Sequence, residues 1–118
     1  MIVEDDEEMR RGLRLLLMDA GYEVVATGSV LGAFEALPSS TPDLALLDHV
    51  LGDGTAFDLL RAFAARGVPF PSVILTGTAD ADLAMKLKRC GARGFLTKPA
   101  EPDAVLAALE RALEESPI

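Results

Sequence analysis

Glu4 and Asp5 stand side by side after a short apolar run, Asp48 closes a second run, Thr76 a third, and Lys98 precedes Pro99 after a fourth. Carboxylates that meet bind hard divalent cations through oxygen. Without a cation they repel one another and raise one another's pKa. An ammonium opposite them offsets that repulsion. A carboxylate set beside a cation, an ammonium and a hydroxyl is suited to accept a phosphoryl group, whose transfer is stabilised chiefly by position and positive charge, and aspartate is a recognised covalent acceptor. No single residue carries this reading. Asp48 alone reads as a turn residue, and Thr76 and Lys98 alone read as solvated or locally bonded groups.

The elements that would bring these residues together are legible in the hydrophobic pattern. Five short apolar runs can be traced: Ile2-Val3, Tyr22 to Ala26, Asp43 to Leu47, Ser72 to Leu75 and Gly94 to Thr97. Leu44-Ala45-Leu46-Leu47 is apolar at consecutive positions, which a strand needs only when both its faces are covered, as in a parallel sheet between helices. Between the runs the spacing turns helical. Met9, Leu13, Leu16, Leu17 and Ala20 share one face, as do Leu83, Leu87 and Cys90, and Val105, Ala108, Leu109 and Ala112. Gly21, Gly67 and Gly91 fall where helices stop, and Pro102 suits a first helical turn. The pattern predicts β-α five times: an α/β fold with a doubly wound, five-stranded parallel sheet. In such sheets the crevice lies beyond the carboxyl ends of the strands, where Glu4-Asp5-Asp6, Asp48, Thr76-Gly77 and Lys98-Pro99 fall.

The chain has 118 residues, 11 basic and 19 acidic, and a net charge of −8. That length suits one domain, and that charge argues against binding a phosphate backbone. One cysteine, Cys90, allows no internal disulfide and fits a reducing, cytoplasmic compartment. No apolar run approaches a membrane span, and Met1 leads into Ile2-Val3 and an acidic run with no signal-peptide pattern.

With these motifs in order, the chain resembles the receiver domain of two-component response regulators over essentially its whole length, 1–118. The resemblance rests on Val3-Glu4-Asp5-Asp6, on Pro42-Asp43-Leu44-Ala45-Leu46-Leu47-Asp48, on Val73-Ile74-Leu75-Thr76-Gly77, and on Gly91-Ala92-Arg93-Gly94-Phe95-Leu96-Thr97-Lys98-Pro99. It implies the flavodoxin-like, CheY-like (βα)5 fold. It implies that Asp48 is the phosphoacceptor, and that magnesium, or manganese, is bound by Asp5, Asp48 and the Val50 backbone carbonyl, with Glu4 acting mostly through water. Lys98 would pair with Asp48 at rest and with the phosphoryl group afterwards. Thr76 would donate its hydroxyl to a phosphoryl oxygen, assisted by the Gly77 amide. Phe95 occupies the switch aromatic position, and the Lys98-Pro99 bond would be cis. The side chains of Val50 and Thr78 would flank the path of a hydrolytic water. The implied partners are a sensor histidine kinase or histidine phosphotransfer protein, and an output domain or downstream protein at the face of the fourth helix, fifth strand and fifth helix, with a homodimer also in view. The chemistry would be self-catalysed phosphotransfer and autodephosphorylation rather than turnover of a separate substrate.

The short lead Met1-Ile2-Val3 predicts a frayed first strand, since the family usually has several more residues there. Leu51-Gly52-Asp53-Gly54 predicts a flexible loop. Asp6, Glu7 and Glu8 read as a helix cap and dipole partners rather than site groups, and His49 is given no role. After Ser116-Pro117-Ile118 no output domain is expected. Two alternatives remain in view. An aspartate-nucleophile phosphatase needs a second aspartate two residues after the first, and neither Asp48, followed by Val50, nor Asp53, preceded by Leu51, supplies that register. A phosphorylation-independent interaction module would be expected to have lost an acid, the acceptor or the lysine, and all are present.

Overall fold

Leu44-Ala45-Leu46-Leu47 is apolar throughout because alternate side chains enter two different cores. In the computed structural model, which describes residues 1–39, 42–67 and 70–114, Ala45 and Leu47 join one buried cluster and Leu44 and Leu46 the other. The elements run β1 (Ile2–Val3), α1 (Glu7–Asp19), β2 (Ala26–Thr27), α2 (Val30–Ala36), a 3-10 turn (Leu37–Ser39), β3 (Ala45–Asp48), β4 (Val50–Leu51), β5 (Gly54–Thr55), α3 (Ala56–Ala65), β6 (Ser72–Thr76), α4 (Ala81–Arg89), β7 (Ala92–Thr97) and α5 (Pro102–Glu114). One sheet has the order β2-β1-β3-β6-β7, and each of its pairs is parallel. Helices α2, α3 and α4 cover the face that carries Val3, Leu47 and Ile74. Helices α1 and α5 cover the face that carries Ile2, Leu46, Val73 and Leu75. This is the doubly wound α/β arrangement, with the strand order reversing between β1 and β3.

The helix signals sit where the pattern placed them. Asp6 caps α1 by accepting from the Met9 amide at 2.9 Å. Gly21, Gly67 and Gly91 all adopt positive φ, at 98°, 71° and 108°, the left-handed conformation that a side chain would strain. Cys90 caps α4 and is half-buried against the α2–α4 core. No helix among the described residues is long and apolar enough to cross a membrane.

Three expectations are corrected. Strand β1 is not frayed: Ile2 and Val3 are fully buried. It is bonded on both sides, with the Ile2 amide donating to the Val25 carbonyl at 2.8 Å and the Leu46 amide to the Met1 carbonyl at 2.9 Å. A central strand needs little length when both neighbours pair with it. The second apolar run, Tyr22 to Ala26, becomes regular strand only at Ala26–Thr27, because it lies at the sheet edge and has one neighbour. The third expectation was a flexible loop after Asp48. Instead Val50–Leu51 and Gly54–Thr55 pair as an antiparallel ribbon, and the Asp53 carboxylate at its tip accepts from the Val30 and Leu31 amides at 2.8 and 3.0 Å. Asp53 thereby caps α2 from a distance, and those two amides hold its carboxyl below the usual aspartate range. We expect Asp53→Ala to leave the sheet intact and speed hydrogen exchange at the Val30 and Leu31 amides several-fold. Unchanged exchange there would mean the cap contributes nothing. The tail read at Ser116-Pro117-Ile118 lies outside the described residues.

Candidate functional site

The carboxyl ends of β1, β3, β6 and β7 converge on one crevice. Glu4 follows β1, Asp48 ends β3, Thr76 ends β6, and Lys98 follows β7. Their register is fixed by the ladder: Asp48 pairs with Leu75, and Thr76 with Thr97. The Lys98 amide donates to the Thr76 carbonyl at 2.6 Å, so the lysine's backbone is locked beside the threonine. The Lys98-Pro99 peptide bond is cis.

Lys98 Nζ lies 3.0 Å from Glu4 Oε1 and 3.0 Å from Asp48 Oδ1. The pairing with Asp48 is the one expected; the equal pairing with Glu4 is not. Both carboxylates are nearly closed off from water, and the ammonium keeps a quarter of its side-chain surface exposed. Charge-assisted bonds of this kind are shorter and stronger than neutral ones. Asp5 is exposed, yet one oxygen from each of Glu4, Asp5 and Asp48 lies within 4.8 Å of the others. Three carboxylates against one ammonium leave an excess of negative charge, and Glu4 Oε2 is buried with no hydrogen-bond partner among the described residues. Buried polar atoms are rarely left so. An all-oxygen donor set with an orphaned carboxylate oxygen fits a hard divalent cation such as magnesium or manganese.

Burial raises the Glu4 carboxyl from 4.5 to about 7, the neighbouring Asp48 pushes the same way, and Lys98 opposes both. Burial would lower the Lys98 ammonium, but its bonds to Glu4 and Asp48 prevail and hold it above its ordinary value. A proton on Glu4 competes with a cation for the same oxygens. Magnesium affinity should therefore climb as pH rises through about 7 and level off above it, when Glu4 is ionised. Calorimetric titration between about pH 6 and pH 8 should show tighter binding at the higher pH, and Glu4→Gln should flatten the dependence. Equal affinities at both ends in the wild type would refute the role of Glu4.

The remaining residues fall around this centre. Thr76 is buried, and its hydroxyl oxygen accepts from the Thr78 amide at 3.3 Å, so its proton is free to be donated. Gly77 and Thr78 are exposed at the rim. Val50 begins the ribbon, its side chain 65% exposed and its backbone tied into the pair with Thr55. Phe95 is half-buried against the α2–α4 core. His49 packs edge-on to Phe57, with ring centroids 5.4 Å apart. Sequence reasoning missed Arg10, whose guanidinium donates to the Glu4 carbonyl at 2.9 Å and pins the end of β1 to α1. Its only sequence signal is a cation one turn into a helix that begins beside the acids.

A family model described as the response regulator receiver domain matches residues 1–110. The chain belongs to that family. Among the relatives of this receiver domain, the transcriptional regulatory protein FixJ of Bradyrhizobium diazoefficiens is 32% identical over 115 residues, which span 98% of this chain and 56% of FixJ. Nodulation protein W of the same organism is 38% identical over 117 residues, 93% of this chain and 50% of that protein. The chain thus spans about half the length of these curated relatives. Of solved structures, the non-phosphorylated HemR receiver domain from Leptospira biflexa superposes with a TM-score of 0.90 at 29% identity, covering 99% of this chain and 94% of that one. Family membership together with the acidic cluster supports a general phosphoacceptor function for this receiver domain.

Proposed function

We propose that the chain, 1–118 as one receiver domain, accepts a phosphoryl group from a phosphohistidine of a sensor histidine kinase or phosphotransfer protein. The reading is carried by one observation: Asp48 ends a buried strand 3.0 Å from a lysine that also grips Glu4, with Asp5 beside them. The bond that forms joins an Asp48 carboxylate oxygen to phosphorus, and the bond that breaks joins phosphorus to the partner's imidazole nitrogen, so the imidazole leaves. Glu4, Asp5, Asp48 and the Val50 carbonyl would hold magnesium or manganese, which when bound supplies positive charge against the phosphoryl oxygens. Lys98 offsets the carboxylates at rest and the added oxygens afterwards. The Thr76 hydroxyl and the Gly77 amide donate to phosphoryl oxygens as charge gathers there.

The phosphorylated state would then be read by an output domain or downstream protein on the face of α4, β7 and α5, with Phe95 following the movement of Thr76; this strand is the fifth of the main sheet. A small phosphodonor with magnesium should load the protein, and a chelator should prevent it. Loading that persists in chelator would overturn the metal-dependent reading.

Val50 and Thr78 set the lifetime of the signal. Hydrolysis needs a water in line behind the phosphorus. The Val50 side chain is branched and projects into solvent, where it can crowd that path but cannot orient a water. Positioned acid–base groups contribute ~10²–10⁴ in rate, and a neutral amide contributes less. Val50→Asn should therefore speed loss of the phosphoryl group several-fold, with magnesium affinity unchanged because the ligand there is the backbone carbonyl. Intact-mass decay after donor removal measures it, and equal or slower decay would count against this account.

A further inference from the structure

We propose that the groove between α1 and β2 is a docking site for an extended acidic peptide segment of a partner protein, added to the sheet at its β2 edge. Strand β2 is the outer strand beyond β1. The Ile2 amide donates to the Val25 carbonyl and the Glu4 amide to the Thr27 carbonyl. Val25 and Thr27 thus turn their backbone groups toward β1. Ala26, in register with Ile2, turns its N–H and C=O outward, by the alternation of a parallel ladder. Free edges are commonly blunted by lysine or proline. Tyr22 to Gly28 contains neither.

What flanks the edge selects the partner's chemistry. The groove encloses about 320 Å³ and is lined by Glu7, Arg10, Arg11, Arg14, Val24 and Ala26. Arg10 is anchored on the Glu4 carbonyl. Arg11 meets Glu7 at 3.6 Å in a pair that is more than two-thirds exposed on both sides and so is held weakly. Arg14 is exposed and has no ion-pair partner among the described residues. Three guanidiniums against one carboxylate make a basic strip on a chain whose net charge is −8. Val24 and Ala26 are half-buried against the α1–α5 core and form an apolar floor. An extended segment that alternates carboxylate and aliphatic side chains satisfies all three features at once: backbone pairing at Ala26, ion pairs with the arginines, and aliphatic contact with the floor. A second copy of this chain fits poorly, because β2 against β2 would bring like arginines together. A nucleic acid would meet the repulsion of the whole chain.

The probe is a fluorescein-labelled peptide of alternating Glu and Val, read by anisotropy and by amide NMR of the full chain. Its controls are the matching Lys/Val peptide and the Glu/Val peptide N-methylated at alternate amides. We expect saturable binding of the Glu/Val peptide that perturbs the Ala26 and Val24 amides. Binding should fall at least about tenfold in Arg11→Gln/Arg14→Glu and by a similar factor on N-methylation. Both substitutions are on an exposed helix face, and the N-methyl control does not depend on how the variant folds. The proposal is overturned if the Glu/Val peptide does not bind, if the Lys/Val peptide binds as well, or if N-methylation changes nothing. It is also overturned if inorganic pyrophosphate shifts the same amides while the peptide cannot displace it.

Discussion

Asp48→Ala is expected to take up no phosphoryl group under conditions that load the wild-type chain. Among the described residues, Asp48 is the one buried carboxylate that ends a strand of the main sheet, and Lys98 fixes one of its oxygens. Glu4 is enclosed as well, but its second oxygen is buried and burial raises its carboxyl above the ordinary glutamate range, which favours the protonated, poorly nucleophilic form. Removing Asp48 also removes one of the charges that raise Glu4. Glu4 should then ionise more easily and pair with Lys98 alone, so the variant should fold at least as firmly as the wild type. Intact-mass spectrometry reads the loading, and urea denaturation reads the stability. A phosphoryl adduct of equal yield in Asp48→Ala would place the acceptor elsewhere.

Lys98→Ala should have the second-largest effect, and on stability as well as signalling. From the chain alone the expectation is an intact fold with phosphorylation uncoupled from the output face. The structure adds a cost, because the ammonium is the counter-ion of two enclosed carboxylates. Removing one partner of a fully buried pair typically costs roughly 3–5 kcal/mol. Lys98 keeps a quarter of its surface in water, which argues for about 2 kcal/mol at neutral pH. The pH dependence has a definite sign. A carboxyl whose folded pKa is raised favours the folded state below its unfolded value and loses that contribution as pH rises through the folded one. Without Lys98, the influence that lowers Glu4 is gone, so Lys98→Ala should recover stability as pH falls from about 7 toward 4.5. Added magnesium should restore it at neutral pH. Denaturation midpoints across that range test this. A variant as stable as the wild type at neutral pH, with no pH dependence of the difference, would mean that solvent already screens the pair.

The residues show why the two-sided sheet was legible and part of the site was not. Consecutive apolar residues at Leu44–Leu47 and Val73–Leu75 admit one reading, burial on both faces, and that reading alone predicts a parallel sheet under helices. The positions that follow those runs then name the crevice. Two-residue strands carry no such signal. Ile2-Val3 looks weak because sequence cannot display its two neighbours, and Tyr22 to Ala26 looks like a longer strand than the edge sustains. The contacts that escaped notice all join residues distant in sequence through groups whose types are unremarkable. Asp53 reaching the amides of Val30 and Leu31, and Lys98 reaching Glu4, need the fold before they can be seen. The grouping of Glu4, Asp5, Asp48, Thr76 and Lys98 was legible because each sits at a strand end; which of them Lys98 would hold was a matter of ångströms.

The place of β1 in the middle of the sheet has a consequence for how the molecule is made. Ile2 pairs with Leu46 as well as with Ala26, so the domain's first strand cannot be completed until β3 has been synthesised. At ~5–20 residues per second, β1 waits several seconds as an apolar segment with one side unsatisfied. The acids arrive in the same order, Glu4 first, then Asp48, and their counter-ion Lys98 last of all. A nascent chain that has made β3 but not β7 holds the carboxylates without the ammonium. The crevice therefore closes electrostatically only when β7, the last strand of the main sheet in chain order, is in place.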